Sequence, residues 1–184
     1  TTVVINAVTE RKGAKTALIT TKGFRDALEI GRANRPDMYN YFYKKPEPFV
    51  PRYLRFEVDE RMNYKGEVLK EAKEAEIVEI ARKLKAEEVT AVAVCFINSY
   101  ANPEHERLVG RILERELPGV EVTLSCNLLK EWREYERTST TVLNAYVKPA
   151  ARKYLDTLRD ELVRMGLTEE PHAMQSNGGT ATFA

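Results

Sequence analysis

Hydrophobic positions along the chain follow two spacings, one typical of buried strands and one typical of amphipathic helices. Runs rich in β-branched residues predict strands at Thr16–Thr20, Tyr53–Val58, Val89–Ile97, Val120–Ser125 and Ala173–Ser176. Apolar residues three and four positions apart predict helices over about residues 73–86, 103–117 and 131–165. Strands that alternate with helices of this length predict an α/β protein with a mostly parallel sheet and helices on both faces.

The predicted helices carry their own start and stop signals. Asn102 is suited to be an N-cap with Pro103 at the first helical position, and the Pro-Gly pair at 118–119 should end that helix. In the longest pattern Pro149 lacks a backbone N–H, so we expect a kink or a split there. Gly166 then suits a left-handed C-terminal position.

Residues 31–51 do not fit this alternation and are predicted to form a long excursion. The segment contains four prolines and four aromatic residues between Tyr39 and Tyr43, and it has no helical period. Loops of this length are usually functional or packed by their own side chains. We expect the aromatic run to pin the loop to the body or to contact a partner. Base stacking is disfavoured because no strongly basic groove accompanies the aromatic residues.

Composition narrows the class of protein. The 184 residues are 43% hydrophobic, which excludes a disordered chain, and the formal net charge of +1 argues for neither nucleic acid nor membrane as a partner. Residues 1–51 hold nine Lys/Arg and five Asp/Glu, a weak sign of an anionic ligand. The longest apolar run is too short to span a bilayer. Two distant cysteines indicate neither a disulfide framework nor a zinc site, so a cytoplasmic location is expected and no metal site is assigned.

Residues that follow predicted strands are the first candidates for a site, because ligands of open α/β sheets bind beyond the carboxyl ends of the strands. These positions carry mostly small hydroxyls, amides and glycines, namely Thr20–Gly23, Asn98–Ser99, Cys126–Asn127 and Ser176–Gly179. The turn formed by Ser176, Asn177, Gly178 and Gly179 suits a phosphate or carboxylate, or is a plain strand-to-helix turn. Lys22 and Gly23 are expected to cap a helix that begins there.

The histidines and cysteines give no catalytic signature. His105 and His172 have no carboxylate or cysteine at ligand spacing, which favours structural or solvated roles, and a Ser-His-Asp triad is not supported. Cys95 lies within an apolar strand and should be inert. Cys126 would react only if a positive group lowered its pKa. The catalytic residues stay unassigned.

The densest polar stretch covers residues 133–141 and is followed by Asn144. Helical spacing puts Arg137, Thr141 and Asn144 on one face, and four consecutive hydroxyl residues at 138–141 lower the helix propensity. One hypothesis is that this face lines a polar cleft or a subunit interface. The other is a solvated first turn in which Arg137 or Arg133 forms an ion pair with Glu134 or Glu136.

Several stretches in order resemble one family. They are the N-terminal residues 1–13, LITTKGFRDALEIGRANRPDMY (18–39), VAVCFINSYANPEHE (92–106), EYERTSTTVLNAYVKP (134–149) and MQSNGG (174–179). Together they resemble the hydantoinase A family. That family includes ATP-dependent N-methylhydantoinase A and 5-oxoprolinase proteins and the related subunits of acetone and acetophenone carboxylases.

The resemblance implies a fold, a cofactor and a partner. The fold would be the actin-like ATPase fold of sugar kinases and Hsp70, of which residues 1–184 form a single α/β segment. The protein would be cytoplasmic, use ATP with Mg²⁺, and work with a hydantoinase B type subunit. The family's phosphate-binding D-x-G-G-T-x-T-D elements would lie before the first and after the last residue, so the isolated chain is expected to be inactive.

The expected activity is ATP-dependent opening of a hydantoin- or oxoproline-like cyclic amide. The alternatives are the ATPase subunit of a ketone carboxylase and a non-catalytic subunit-docking module that uses the excursion at 31–51. The candidates for substrate or cleft contacts are Asn34, Arg35, Arg137, Thr138, Thr141 and Asn144. The candidates for nucleotide or anion contacts are Thr1, Thr2, Ser176, Asn177, Gly178 and Gly179.

Overall fold

Helices and strands alternate along most of the chain, as the hydrophobic pattern predicts. The computed structural model describes residues 2–32, 34, 36–174 and 178–183. The helices are α1 (Thr2–Thr9), α2 (Ala27–Ile30), α3 (Glu74–Ala86), α4 (Glu104–Glu116), α5 (Ser125–Leu128) and α6 (Glu134–Arg164), with a 3-10 turn at Arg52–Leu54. The strands are β1 (Thr16–Thr21), β2 (Arg55–Val58), β3 (Arg61–Met62), β4 (Val68–Lys70), β5 (Ala91–Cys95), β6 (Glu121–Leu124), β7 (His172–Met174) and β8 (Thr180–Thr182).

Four parallel strands form the main sheet, in the order β2-β1-β5-β6. Every residue of the two central strands, β1 and β5, is buried. Strands covered on both faces read as continuous apolar runs because neither face meets water, which explains the sequence pattern of β5. The predicted α/β class with a parallel sheet is confirmed.

Helices cover both faces of this sheet. Successive strand residues point to opposite faces, so Thr123 and Leu124 of β6 mark the two sides. Thr123 donates a hydrogen bond to Asn144 of α6 at 3.4 Å, whereas Leu124 packs against Gly110 of α4. A Cβ on Gly110 would lie 3.1 Å from the Leu124 side chain, so glycine allows the close approach of this helix to the sheet.

The chain divides into two compact units, where the sequence predicts a single segment. One unit is Ala14–Tyr146, and the other combines Thr1–Gly13 with Val147–Ala184. The whole hydrophobic core cluster lies within the first unit, with Leu18, Ile77, Val92, Leu113 and Val142 among its members. The second unit contains α1, the C-terminal part of α6 and the antiparallel pair β7-β8.

Several local predictions are confirmed. The helix predicted after Asn102 is present as α4, but its N-cap is Pro103, so the prediction of Asn102 as N-cap is wrong by one residue; Asn102 accepts a hydrogen bond from the backbone N–H of Glu104 at 3.0 Å. That helix ends at Glu116, before the Pro-Gly pair. Gly166, two residues after the end of α6, has a positive φ of 100°.

Other elements differ from the sequence prediction. α1 is rich in β-branched residues and was not predicted as a helix. Lys22 and Gly23 form a turn before α2, whose N-cap is Asp26, so they do not cap it. α6 continues through Pro149, so that residue does not split the helix. The strand predicted at 173–176 corresponds to β7, and the next element is the antiparallel strand β8. The predicted alternative of a strand-to-helix turn after it is therefore wrong. No helix among the described residues is long and apolar enough to cross a membrane.

Candidate functional site

The carboxyl end of the main sheet is closed by two buried polar networks. The first network surrounds Arg137, whose side chain is 1% exposed. Its guanidinium donates to the hydroxyls of Ser99 and Ser125 and to the carbonyl of Phe96, and it lies 5.6 Å from the ring centroid of Tyr100. These acceptors come from the segments that follow β5 and β6. α6 is thereby held against the end of the sheet.

A buried carboxylate completes the first network. Glu106 of α4 accepts hydrogen bonds from the backbone N–H groups of Phe96 and Cys126, both at 2.8 Å, and from the Ser125 hydroxyl at 2.6 Å. Ser125 therefore lies between the guanidinium and the carboxylate. A buried charge persists only when it is hydrogen-bonded and balanced, and this arrangement does both without a direct ion pair.

The second network is centred on His105, which the sequence favours as structural or solvated. Its Nδ1 lies 2.7 Å from a carboxylate oxygen of Glu60, and its Nε2 lies 3.3 Å from Glu71. Glu60 is also hydrogen-bonded by the Thr21 hydroxyl, which in turn accepts the N–H of Ile97. Sequence spacing did not reveal these carboxylates because they lie 45 and 34 positions away along the chain. The contacts support the structural role.

In both networks the polar side chains at the strand ends bond to other groups of the protein. Thr138 and Thr141 are buried with Arg137, and their hydroxyls bond to the Cys95 sulfur and to the Arg137 carbonyl. Asn144 is half-buried against β6. The assignment of these four residues to substrate contacts stays a prediction.

The ion-pair hypothesis for the first turn of α6 is wrong for Arg137. Its hydrogen bonds go to serine hydroxyls and a carbonyl, and Glu136 pairs with Arg32 of the excursion instead. A hydrogen bond from its own backbone N–H, together with Arg32, holds the pKa of Glu136 below its usual range. Arg133 stacks on the ring of Trp132 at 5.1 Å.

The cysteines offer no reactive thiolate. Cys95 is buried, and burial raises the pKa of its thiol. Partial burial, with the nearby Glu106 carboxylate, raises the pKa of Cys126 to about 12. The positive charge of Arg107 lowers this pKa by less than burial and Glu106 raise it. Both cysteines are therefore expected to be inert at neutral pH.

An open cavity of about 480 Å³ lies elsewhere in this unit, between the excursion and the start of α6. Its walls come from residues 28–32, Asn34, residues 43 and 45–49, and four positions on α6, namely Tyr135, Ser139, Val142 and Leu143. A smaller cavity of about 200 Å³ shares Ile30, Gly31 and Tyr135 with it. α6 thus presents one face to the sheet and a neighbouring face to the cavity.

The excursion itself is irregular, as predicted, but its aromatic run does not pin it down throughout. Tyr39, Tyr41 and Phe42 are 80%, 89% and 92% exposed, whereas Tyr43 is half-buried in the cavity wall. Two side-chain turns, in which Asp37 and Asn40 accept backbone N–H groups two residues ahead, shape the exposed tip. The prediction that the aromatic residues pack against the body is therefore wrong for Tyr39, Tyr41 and Phe42.

The remaining predicted site residues are only partly described. Arg35, Thr1, Ser176 and Asn177 lie outside the described residues. Asn34 lies in the wall of the larger cavity. Thr2 begins α1 and is exposed, and Gly178, with a φ of 83°, lies between β7 and β8 next to Gly179. The described residues contain no group of three or more His, Cys, Asp or Glu that could hold a metal ion.

Comparison with protein families identifies the chain. The model of the hydantoinase/oxoprolinase N-terminal region matches residues 1–117, and the hydantoinase/oxoprolinase model matches residues 137–184. The chain belongs to the hydantoinase/oxoprolinase family. The family resemblance seen in the sequence is therefore confirmed.

The relatives of this hydantoinase/oxoprolinase chain include enzyme subunits and uncharacterised proteins. An uncharacterised protein of Methanocaldococcus jannaschii is 42% identical over 169 residues, which cover 92% of this chain and 25% of that protein. The caprolactamase subunit alpha of Pseudomonas jessenii is 34% identical over 183 residues, with coverages of 98% and 26%. The chain therefore spans about a quarter of the length of these relatives.

Solved structures give the same grouping for this family member. The crystal structure of the ATP-dependent caprolactamase from P. jessenii superposes with a TM-score of 0.93 at 34% identity, covering 100% of this chain and 27% of that one. A nucleotide-free structure of acetone carboxylase superposes with a TM-score of 0.86 at 28% identity, covering 98% and 27%. These two relatives are an ATP-dependent caprolactamase and an enzyme of ATP-dependent acetone carboxylation.

Two of the five stretches that carry the family resemblance meet at the two cavities. Residues 18–39 supply the side from Gly23 to Asn34, and residues 134–149 supply Glu134, Tyr135, Ser139, Val142 and Leu143. Tyr135 and Ser139 were missed by sequence reasoning. Tyr135, Ser139 and Leu143 follow one another at i, i+4 spacing and so form a stripe along the helix. This stripe lies beside the face of Arg137 and Thr141, which the sequence analysis selected.

Proposed function

We propose that this chain is part of an ATP-dependent enzyme that opens a hydantoin- or oxoproline-like cyclic amide. The observation that supports it is the likeness to caprolactamase, which is greater than the likeness to acetone carboxylase in both identity and TM-score. A lactamase and an oxoprolinase both act on a ring amide. Such an amide is stable in water, which gives ATP a role in activating its carbonyl oxygen.

ATP and Mg²⁺ are proposed to be bound mainly by other parts of the complete enzyme. The chain contains neither of the standard glycine-rich phosphate loops, and its described residues form no metal cluster. Thr1, Thr2 and the turn Ser176–Gly179 are kept as candidates for the margin of the nucleotide site. When bound, ATP would supply a phosphoryl group that makes the amide carbon more electrophilic toward water, so that the ring C–N bond breaks and phosphate is released. The residues of this chain would bind and orient the ring.

The complete enzyme is proposed to work in the cytoplasm together with a partner subunit. Relatives of this chain include subunits named alpha, beta and gamma, which supports a heteromeric enzyme with a hydantoinase B type partner. The exposed Tyr39, Tyr41 and Phe42 favour docking as a second function of the excursion, because exposed aromatic clusters mark interaction surfaces.

The proposal is tested with the complete protein, purified with its partner. We expect release of ADP and phosphate to depend on added hydantoin, 5-oxoproline or ε-caprolactam, with one ring-opened product formed per ATP. If acetone or acetophenone with bicarbonate stimulates ATP hydrolysis and no cyclic amide does, the protein is a carboxylase subunit instead.

A further inference from the structure

We propose that the larger cavity binds the ring of an uncharged cyclic amide, with Tyr135, Ser139 and Asn34 as its hydrogen-bonding partners. The inference rests on the proposed function and adds a location and a specificity to it. Three properties of the cavity wall support the inference. The wall has apolar side chains, its charged side chains already have partners, and it has neutral polar side chains without partners among the described residues.

The hydrocarbon part of the wall suits an aliphatic ring. Leu28, Phe49, Val142 and Leu143 contribute apolar side chains, and prolines 46 and 48 close the side formed by the excursion. The volume of about 480 Å³ lies within the usual range for sites that bind small molecules. Apolar walls with a few polar groups are the ordinary composition of such sites.

The charged side chains of the wall, which belong to Glu29, Arg32, Lys45 and Glu47, all have interaction partners within the protein. Arg32 pairs with Glu136, and the Lys45 ammonium donates to the carbonyls of Glu29 and Ile30 at 3.2 and 2.8 Å. The carboxylate of Glu29 is bound by Arg55 at 3.0 Å. A charged ligand would have to displace one of these partners. The wall therefore favours a ligand without a net charge.

The neutral polar groups have hydrogen-bonding capacity to spare. The side chains of Tyr135, Ser139 and Asn34 make no hydrogen bond to another described residue. Each hydroxyl can donate and accept, and the asparagine amide offers both kinds of group. A secondary amide has one N–H and one carbonyl. Two of the three protein groups can therefore satisfy a ring amide completely.

Two conservative variants of the assembled enzyme test the site. Tyr135→Phe and Ser139→Ala each remove one hydroxyl, and Thr140→Ala removes an exposed hydroxyl beside them as the control. Melting temperatures of all three establish that they fold. We expect the KM for ε-caprolactam to rise by about three- to tenfold in the first two variants, as for a lost neutral hydrogen bond, with the KM for ATP unchanged. The control should match the unmodified enzyme.

Direct binding separates this inference from the proposed function. Calorimetry without ATP should show ε-caprolactam bound at least about tenfold more tightly than 5-oxoproline, whose carboxylate finds no unengaged cation. If the lactam is hydrolysed but neither variant changes its KM or its affinity, the ring binds elsewhere and the proposed function stands. If the variants weaken lactam binding but no lactam is hydrolysed, the site stands and the proposed function is wrong. Tighter binding of 5-oxoproline would overturn the neutral specificity.

Discussion

Arg137 illustrates how a single residue can tie two strand ends to a helix. Its guanidinium offers several N–H groups in a rigid fork, and three of its hydrogen bonds reach Ser99, Ser125 and Phe96. Lysine presents one compact ammonium and cannot reach the same set. The burial of Arg137 indicates that stability, more than ligand binding, depends on this fork.

Replacing Arg137 with lysine is expected to lower the free energy of unfolding by about 2–4 kcal/mol. The reason is that one ammonium cannot replace all the hydrogen bonds of the guanidinium, so buried acceptors are left without a donor. Urea denaturation of the chain measures the change. Arg133→Lys, at an exposed position one turn earlier, should change it by less than about 0.5 kcal/mol. Equal stabilities for the two variants, with turnover of the complete enzyme lost only in Arg137→Lys, would instead make Arg137 a substrate contact.

At the scale of elements, the His105 network connects four segments, of which only β1 belongs to the main sheet. His105 lies in the first turn of α4, Thr21 ends β1, Glu60 lies between β2 and β3, and Glu71 follows β4. The side chain of Glu60 is fully buried, whereas that of Glu71 is 80% exposed. The two carboxylates therefore contribute unequally to stability.

His105→Ala is expected to destabilise the chain by about 2–4 kcal/mol, because the buried Glu60 loses a hydrogen-bond partner. Glu71→Gln should cost less than about 1 kcal/mol, since an exposed ion pair is screened by water. A double-mutant cycle with Glu60→Gln and His105→Ala should give a coupling energy of at least about 1 kcal/mol in chemical denaturation. Additive effects within about 0.3 kcal/mol would show that the two side chains do not interact.

For the whole molecule, the hydrophobic core belongs to one of the two units. Every residue of the core cluster lies within Ala14–Tyr146, together with the four parallel strands. A unit that contains its own core and all pairings of its main sheet satisfies the usual requirements for independent folding.

A polypeptide of residues 14–146 is therefore expected to unfold cooperatively, with a free energy of about 5–10 kcal/mol. Circular dichroism and the fluorescence of Trp132 should report the same urea midpoint. As a control, Leu84→Ala removes a fully buried side chain and should lower that free energy by about 2–5 kcal/mol. A broad transition, or midpoints that differ between the probes, would mean that the second unit is needed for folding.

The amino-acid sequence by itself determined the α/β class with its parallel sheet and, to within a few residues, the bounds of the three long helices α3, α4 and α6. These features arise from local periodicity and from residues such as Asn102, Pro118 and Gly166, whose backbone preferences act over a few positions. The family resemblance was also readable in the sequence. It lies in five continuous stretches, two of which supply cavity walls.

Only the tertiary structure decided which polar residues are buried together and which face the cavity. His105 meets Glu60 across 45 positions because β2 and α4 are brought to the same end of the sheet. Along α6, Arg137 and Ser139 are two positions apart, yet one points to the sheet and the other to the cavity. A helical pattern defines a stripe of residues but not the direction it faces, because that direction depends on where the neighbouring strands and loop end.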